Sequence, residues 1–341
     1  WAAAEAQVCP RCLARNRLKV RTADAVDPRY PETNYLECDA CGYRFRQSYA
    51  RIPRLCFPTV GIRASGKTHM LVTAYDRVRN GTAPTSAALQ QAPSIADQQF
   101  EAFIDLIVRS HGMAGATHHD LPNPIVIHAR DKDPAGANTV LVNLFDYSGE
   151  MVQKTLDTDL LRQRAVLMDG FMMFLDPTQL YGEKGGIRLE DQIRAMNDFY
   201  QDMAEARRVG AGRAIPVPVA VCITKFDLLV TDNPMKWAAA DYIRTLTDDL
   251  GPAGAVTLDV IARRSAVVEE MLPQMFQGFD LRKKFREFFG GQVMFFPISS
   301  VSLIEGELGV KDMKKRSVDP YGVVEPVLWL LHMHGYEVLG G

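Results

Sequence analysis

One glycine-rich stretch, Gly61-Ile62-Arg63-Ala64-Ser65-Gly66-Lys67-Thr68, limits the folds open to this chain more than any other feature. It has the spacing G-x-x-x-x-G-K-[ST], in which glycines let successive backbone N–H groups wrap around a chain of phosphates. In such a loop the lysine reaches the β- and γ-phosphates, and the Ser or Thr hydroxyl binds Mg²⁺. The residues predicted to line the phosphates are Gly61, Arg63, Ala64, Ser65, Gly66, Lys67 and Thr68.

The flanking sequence decides between a phosphate site and an ordinary glycine-containing turn. Residues 55–61 form an apolar run typical of a buried strand, and residues 69 to about 79 have the pattern of a helix. A strand, the loop and a helix in that order are the context that a phosphate loop requires. We therefore predict a phosphate loop here.

From about residue 55 onward, short apolar runs alternate with amphipathic stretches. This pattern predicts an α/β fold with a mostly parallel, doubly wound sheet. The DKDPAG turn between the second and third predicted strands favours an antiparallel hairpin. Strands are predicted at residues 55–61, 125–130, 139–146, 170–176, 217–224 and 292–298, and helices at 190–209 and around 327–333.

We predict two domains: residues 1–50 as a small cysteine-containing module, and residues 51–341 as the α/β domain. Two segments of the larger domain, about 82–124 and 233–290, are predicted to be helical insertions. In the first of these, Ser94 and Asp97 have the spacing of a capping box. The residues that fall on one face of the helix that follows are Phe100, Phe103, Ile104, Ile107 and Val108.

Composition and charge exclude some classes of protein. The chain has 341 residues and a formal net charge of −2, so it lacks the global basic field common in nucleic-acid-binding proteins. No run approaches the roughly 18 consecutive apolar residues of a membrane span. Residues 1–7 also lack the basic and apolar regions of a signal peptide. The expectation is a cytoplasmic protein without a membrane span.

Four cysteines near the N-terminus have the spacing C-x₂-C…C-x₂-C. Each pair can hold a metal from a tight turn, and four thiolates complete the tetrahedral shell of structural Zn²⁺. The separation of the pairs fits a zinc ribbon, while another thiophilic metal or a redox pair are the alternatives. The predicted zinc ligands are Cys9, Cys12, Cys38 and Cys41.

This N-terminal region is also rich in arginine, with tyrosine and phenylalanine interleaved. Such a surface is compatible with nucleic acid or an acidic partner. A solvated surface on a module that only adds stability explains the same residues equally well. The sequence leaves both interpretations open.

Three further motifs follow the phosphate loop, each at the end of a predicted strand. Asp146-Tyr147-Ser148-Gly149 reads D-x-x-G, whose carboxylate can hold Mg²⁺ and whose glycine N–H can meet the γ-phosphate. Thr224-Lys225-Phe226-Asp227 reads [NT]-K-x-D, in which the aspartate accepts from guanine N1–H and N2–H₂ and the lysine stem covers the base. Ser299-Ser300 ends the last strand, where a backbone N–H can contact guanine O6.

Together these four motifs resemble those of TRAFAC-class, Ras/Arf-like P-loop GTPases. The resemblance covers about residue 55 to the C-terminus. It implies GTP and GDP as ligands, Mg²⁺ as cofactor, hydrolysis of GTP, and loops that switch affinity for a partner protein. The long insertions, the cysteine module and the closing DPYGVVEPVLWLL also resemble bacterial GTPases of the double-GTPase kind.

The chain departs from the Ras/Arf pattern at two catalytic positions. Glu150 follows the D-x-x-G motif where Gln orients the attacking water, and Arg63 replaces a small residue in the phosphate loop. Slow intrinsic hydrolysis is therefore expected. Thr117 is predicted to be the Mg²⁺-binding threonine of switch I, with Thr82 and Thr85 as competitors. The predicted catalytic residues are Lys67, Thr68, Thr117, Asp146, Gly149 and Glu150.

Two other functions remain as alternatives at this point. A P-loop ATPase would share the phosphate loop, although the TKFD sequence argues against it. A scaffold that binds GTP without hydrolysing it is compatible with Glu150 and Arg63.

Overall fold

The computed structural model of the protein describes residues 8–22, 34–92, 101–110, 124–130, 138–146, 166–180, 189–210, 212–226, 228, 255–300 and 320–340. Within these ranges the chain forms two β-sheets, a small one of three strands and a large one of seven. The small sheet is antiparallel, in the order β1-β2-β3, and consists of β1 (Leu18–Thr22), β2 (Asn34–Cys38) and β3 (Arg44–Arg46).

The large sheet contains the predicted strands and one that was not predicted. Its members are β4 (Arg54–Gly61), β5 (Ala88–Gln91), β6 (Ile125–Arg130), β7 (Thr139–Asp146), β8 (Phe171–Leu175), β9 (Val219–Ile223) and β10 (Val293–Pro297). Their spatial order is β10-β9-β8-β4-β7-β6-β5. The first five strands in this order are parallel, whereas β6 pairs antiparallel with both β7 and β5.

Five α-helices are described: α1 (Lys67–Arg79), α2 (Leu189–Ala206), α3 (Leu258–Met275), α4 (Leu281–Phe289) and α5 (Glu325–Met333). Two short 3₁₀ segments, Gln47–Arg51 and Pro177–Leu180, are also described. Residues 101–104 are α-helical and continue into a π-helical turn, Asp105–Arg109. Among these helices, none combines the length and the apolar character needed to cross a bilayer.

The large sheet is covered on both faces, which confirms the predicted doubly wound α/β class. Because side chains alternate along a strand, Phe57 of β4 belongs to one buried cluster while Cys56 and Val60 belong to another. The first cluster includes residues of α1, α3 and α5, and the second includes residues of α2, α3 and α4. Burial on both faces explains why these strands are nearly continuous apolar runs.

The hairpin of β6 and β7 has the predicted bounds and antiparallel register, with Ile125 opposite Leu144. The strand β5 lies inside the segment that was assigned to a helical insertion. Its sequence, Ala-Leu-Gln-Gln, lacks β-branched residues, so pairing with β6 rather than local propensity makes it a strand. The π-helical turn follows within the same segment, and Ile104 and Ile107 are buried as predicted. Ser94 and Asp97 lie outside the described residues.

The small sheet packs against the large one through both polar and apolar contacts. The guanidinium of Arg54, the first residue of β4, donates to the carbonyl of Val8 and lies 4.8 Å from the Phe45 ring centroid. Leu13 is only 5% exposed and belongs to the same buried cluster as Cys56 and Phe145 of the large sheet. The N-terminal module therefore shares part of its core with the α/β domain.

Replacing Leu13 by Ala tests this shared core. Loss of a buried leucine leaves a cavity, so we expect the free energy of unfolding to fall by about 2–4 kcal/mol. Val20→Ala is the matched control, because Val20 lies in the same module and is 54% exposed; its effect should stay within about 0.5 kcal/mol. Equal effects in urea unfolding of the two variants would contradict the shared core.

Candidate nucleotide and metal sites

The phosphate loop connects the end of β4 to the start of α1, as predicted. Gly61 lies so close to β8 that a Cβ at this position would come within 2.7 Å of the Phe174 carbonyl oxygen. Gly66 is the N-cap of α1 and has a left-handed φ of 84°. Gly61 is thus required because the backbone of β8 lies too close for a side chain, and Gly66 because its φ is left-handed.

Lys67 points back into the loop. Its Nζ donates to the carbonyls of Gly61 and Ile62 at 2.9 and 2.8 Å, and the residue is only 6% exposed. Burial lowers the pKa of Lys67 to about 8, and the nearby carboxylate of Asp146 partly opposes this shift. The lysine therefore stands at the centre of the loop, where phosphates would enter.

Thr68 and Asp146 meet at the same edge of the sheet. The Thr68 hydroxyl donates to Asp146 Oδ2 at 2.5 Å. The parallel pairing of β4 and β7 places Thr59 beside Asp146, and the Thr59 hydroxyl lies 3.4 Å from Asp146 Oδ1. Hydroxyl and carboxylate oxygens are ligands that Mg²⁺ prefers, so the residues present fit that ion. Thr59, which is fully buried, was not predicted from the sequence.

Thr224 and Lys225 follow β9 beside the phosphate loop. The Thr224 hydroxyl donates to the Leu175 carbonyl at 3.1 Å, and a Cβ on Gly66 would lie 3.7 Å from the Thr224 Cβ. Lys225 has a left-handed φ of 53°, and its Nζ forms an ion pair of 2.6 Å with Asp176 Oδ2. The two loops thus lie against each other.

The Ser299-Ser300 segment adjoins the same place. The Phe226 N–H donates to the Ile298 carbonyl at 3.0 Å, which joins the ends of β9 and β10. Ser299 is fully buried, and its N–H is already donated to the Tyr321 carbonyl at 3.0 Å. Of the two predicted serines, Ser300 is therefore the better candidate to present a backbone N–H to a base.

Asp176 was also not predicted as a site residue. It is the last residue of the strand predicted at 170–176, as Asp146 is the last residue of the strand predicted at 139–146, and this position was the available signal. Four other predicted site residues, Thr117, Gly149, Glu150 and Asp227, lie outside the described residues.

The comparison with protein families agrees with this geometry. The sequence model of the Double-GTPase 2 family matches residues 56–274, more than half of the chain. This chain belongs to the Double-GTPase 2 family. The matched range of the Double-GTPase 2 domain includes the phosphate loop, Asp146 and Lys225, whereas the N-terminal cysteines and Ser299-Ser300 lie outside it. No curated protein matches the chain.

The four N-terminal cysteines come together beside the double-GTPase domain. Their Sγ atoms all lie within 4.8 Å of one another, and the Cys9–Cys41 and Cys12–Cys38 sulfur pairs are each separated by 3.6 Å. A tetrahedral zinc site with Zn–S bonds of about 2.3 Å has sulfur–sulfur edges of about 3.8 Å, so the cluster fits this ion. Convergence of four sulfurs favours a metal over a redox pair.

Backbone hydrogen bonds form a tight turn at each cysteine pair. Leu13 N–H donates to the Cys9 carbonyl and Gly42 N–H to the Cys38 carbonyl, at 3.0 and 2.7 Å, which closes two similar turns. The pKa of Cys12 is lowered to about 5, mainly because the Cys9 thiol donates a hydrogen bond to it. The same contact and burial raise the pKa of Cys9. The thiolate, which is the form that binds metal, is therefore favoured at Cys12, whereas burial raises the pKa of Cys41 to about 11.

Basic residues on the small sheet are partly neutralised by its own acidic residues. Lys19 pairs with Asp39 at 2.5 Å, and Arg44 pairs with Glu37 at 2.7 Å. Arg21 lies within 4 Å of both carboxylates. These pairs reduce, but do not cancel, the positive charge of the module, because two carboxylates face three of its basic side chains.

Metal analysis of purified protein tests the cysteine cluster. We expect about one zinc ion per chain in the wild type and a large loss in Cys12→Ser, because three thiolates bind Zn²⁺ more weakly than four. Cys222→Ala is the control, since Cys222 is buried in β9 outside the cluster. Unchanged zinc in Cys12→Ser would show that the cluster does not hold the metal.

Proposed function

We propose that this chain binds GTP with Mg²⁺, hydrolyses it to GDP, and acts as a nucleotide-dependent switch. One observation carries the proposal: the described residues of motifs from four distant parts of the chain lie together at one edge of the sheet. The contacts that join them are Thr68 with Asp146, Gly66 with Thr224, and Phe226 with Ile298. Membership of the Double-GTPase 2 family supports the same conclusion.

The phosphate loop would hold the phosphates. Backbone N–H groups from residues 61–68 surround them, and Lys67 exchanges the carbonyls of Gly61 and Ile62 for phosphate oxygens. Thr68 and Asp146 would hold Mg²⁺ directly or through water, and Gly149 would offer its N–H to the γ-phosphate. The bound ion neutralises charge on the β- and γ-phosphates.

The base would be recognised by the two loops after β9 and β10. Asp227 accepts from guanine N1–H and N2–H₂, donors that adenine does not present as a pair. Thr224 anchors this loop on Leu175 through its hydroxyl. The Lys225 stem covers one face of the base, and the Ser300 N–H contacts O6.

Hydrolysis by the isolated chain would be slow. Glu150 can accept a hydrogen bond from water but cannot donate one while ionised, and Arg63 adds bulk beside the γ-phosphate. Thr117 would bind Mg²⁺ from switch I. Binding and loss of the γ-phosphate would then order and release the loops around Thr117 and Glu150, which changes affinity for a partner protein.

The cysteine cluster would hold structural Zn²⁺ through Cys9, Cys12, Cys38 and Cys41. Four protein ligands leave no open coordination position for chemistry. Because Leu13 adjoins the cluster and lies in the core of the large sheet, the bound ion would stabilise the junction between the module and the GTPase domain.

Nucleotide selectivity tests the central claim. We expect fluorescent GDP to bind metal-replete protein in the presence of Mg²⁺, and fluorescent ADP to bind far more weakly. Asp227→Ala should weaken GDP binding roughly 100-fold, because two hydrogen bonds to a charged acceptor are lost. Binding of ADP as tight as that of GDP would instead assign the site to an ATPase.

Single-turnover hydrolysis separates an enzyme from a scaffold. We expect the wild type to cleave GTP at a rate on the order of 10⁻⁴ s⁻¹, and Thr68→Ala to lose both Mg²⁺ dependence and cleavage. Thr117→Ala should reduce Mg²⁺-dependent cleavage, whereas Thr82→Ala, its control, should not. No GDP after extended incubation would favour the non-hydrolysing scaffold, and rapid cleavage by pure protein would contradict the roles of Glu150 and Arg63.

A further inference from the structure

The carboxylate of Asp176 lies between β4 and β9, where the two halves of the proposed nucleotide site meet. Asp176 is fully buried and follows β8, the strand between these two. Its Oδ1 accepts from the N–H and the hydroxyl of Thr178 at 3.0 and 2.6 Å. Its Oδ2 accepts from Gln179 Nε2 at 2.9 Å and pairs with Lys225 Nζ at 2.6 Å.

The two oxygens have different tasks. Oδ1 caps the 3₁₀ segment Pro177–Leu180 through Thr178, a purely local contact. Oδ2 faces the nucleotide loops: Lys225 belongs to the base loop, and Gln179 Nε2 also lies 3.3 Å from the Arg63 carbonyl in the phosphate loop. One carboxylate oxygen therefore connects both loops.

The ion pair with Asp176 holds the Lys225 side chain in one position. Its side chain is 34% exposed, whereas that of Asp176 is fully buried. A lysine with one end in water samples several rotamers, and holding it in one of them costs side-chain conformational entropy. A buried carboxylate stays close to its cationic partner because separating the charges leaves it unpaired in a poorly solvated site.

We propose that Asp176 is a positioning residue for guanine nucleotide. It holds the Lys225 stem as a fixed platform for the base and, through Gln179, holds the phosphate loop in register with that platform. This inference rests on the proposed function. It adds a residue that the four sequence motifs do not contain.

Asp176→Asn separates the two tasks of the carboxylate. The amide oxygen can occupy the Oδ1 position and keep both bonds from Thr178. The amide NH₂ then takes the Oδ2 position, where it can accept from neither Gln179 nor Lys225. Asp169→Asn is the matched control, because Asp169 lies before the same strand and accepts from the Cys56 N–H at 2.8 Å, away from the loops.

The experiment measures dissociation of fluorescent GDP from four proteins: wild type, Asp176→Asn, Lys225→Met and the double variant. Lys225→Met keeps the stem and removes the ammonium group. We expect each single variant to release GDP about tenfold faster, as for loss of a hydrogen bond to a charged group. The double variant should be no faster than the faster single variant, because the ion pair that Lys225→Met breaks is already lost in Asp176→Asn.

Each outcome has a defined meaning. Asp169→Asn should release GDP at the wild-type rate. Wild-type release from Asp176→Asn, or multiplied effects in the double variant, would overturn the positioning role while leaving GTP binding intact. Failure of the wild type to bind GDP would instead overturn the proposed function itself.

Gln179→Ala provides a second test that does not alter the buried carboxylate. It removes the amide that donates both to Asp176 Oδ2 and to the Arg63 carbonyl, while the ion pair of Asp176 with Lys225 stays. Gln179 is partly exposed, so folding should be preserved. We expect GDP release to rise about threefold, less than in Asp176→Asn, since the bridge to the phosphate loop is lost while Lys225 keeps its partner. An unchanged rate would overturn the link between Asp176 and the phosphate loop, even if Asp176→Asn proves too unstable to study.

Discussion

The parallel pairing of β4 with β7 is the constraint on which the candidate site depends. It aligns Thr59 with Asp146, so that the carboxylate arrives where α1 begins and Thr68 can donate to it. Parallel strands end at the same edge of a sheet, and the loops that follow them must therefore share that edge. Asp176, Thr224 and Ser299 follow neighbouring strands and reach the same edge for this reason.

Burial of the sheet on both faces holds this pairing in place. Successive side chains of β4 and β8 enter opposite clusters, so a shift of register by one residue would exchange the two faces. Gly61 shows how close the packing is, since even a methyl group there would collide with the Phe174 carbonyl. Gly61 is therefore required for packing within the fold, in addition to any role in binding a ligand.

The small sheet depends on the large one as much as on its own cysteines. A three-stranded sheet of this size buries little apolar surface and needs further support. The cysteine cluster supplies one support at its centre, and Arg54 and Leu13 supply another at its boundary with β4. The described part of this module therefore shares a core with the large sheet.

Much of the fold could be predicted because its signals are local. Apolar runs predicted the bounds of β6 and β7, and the spacing of the cysteines predicted that four sulfur atoms come together. The sequence did not predict β5, because Ala-Leu-Gln-Gln contains no β-branched or aromatic residue. Its partner, β6, lies far along the chain. Thr59 was not predicted because a threonine within an apolar run is common in strands. Asp176 was not predicted because, although it ends a predicted strand as Asp146 does, no D-x-x-G motif begins there.

The sequence by itself determined which chemical groups are present and at what spacing: the phosphate loop, the carboxylate of Asp146, the Thr-Lys pair and the four cysteines. Only the tertiary structure decided which of them meet. In that structure the Ser299 N–H donates to the Tyr321 carbonyl, and Asp176 lies between Lys225 and Gln179. The physical reason is that motif spacing follows the chain, whereas hydrogen bonds and ion pairs depend on distances that the order of strands in the sheet sets.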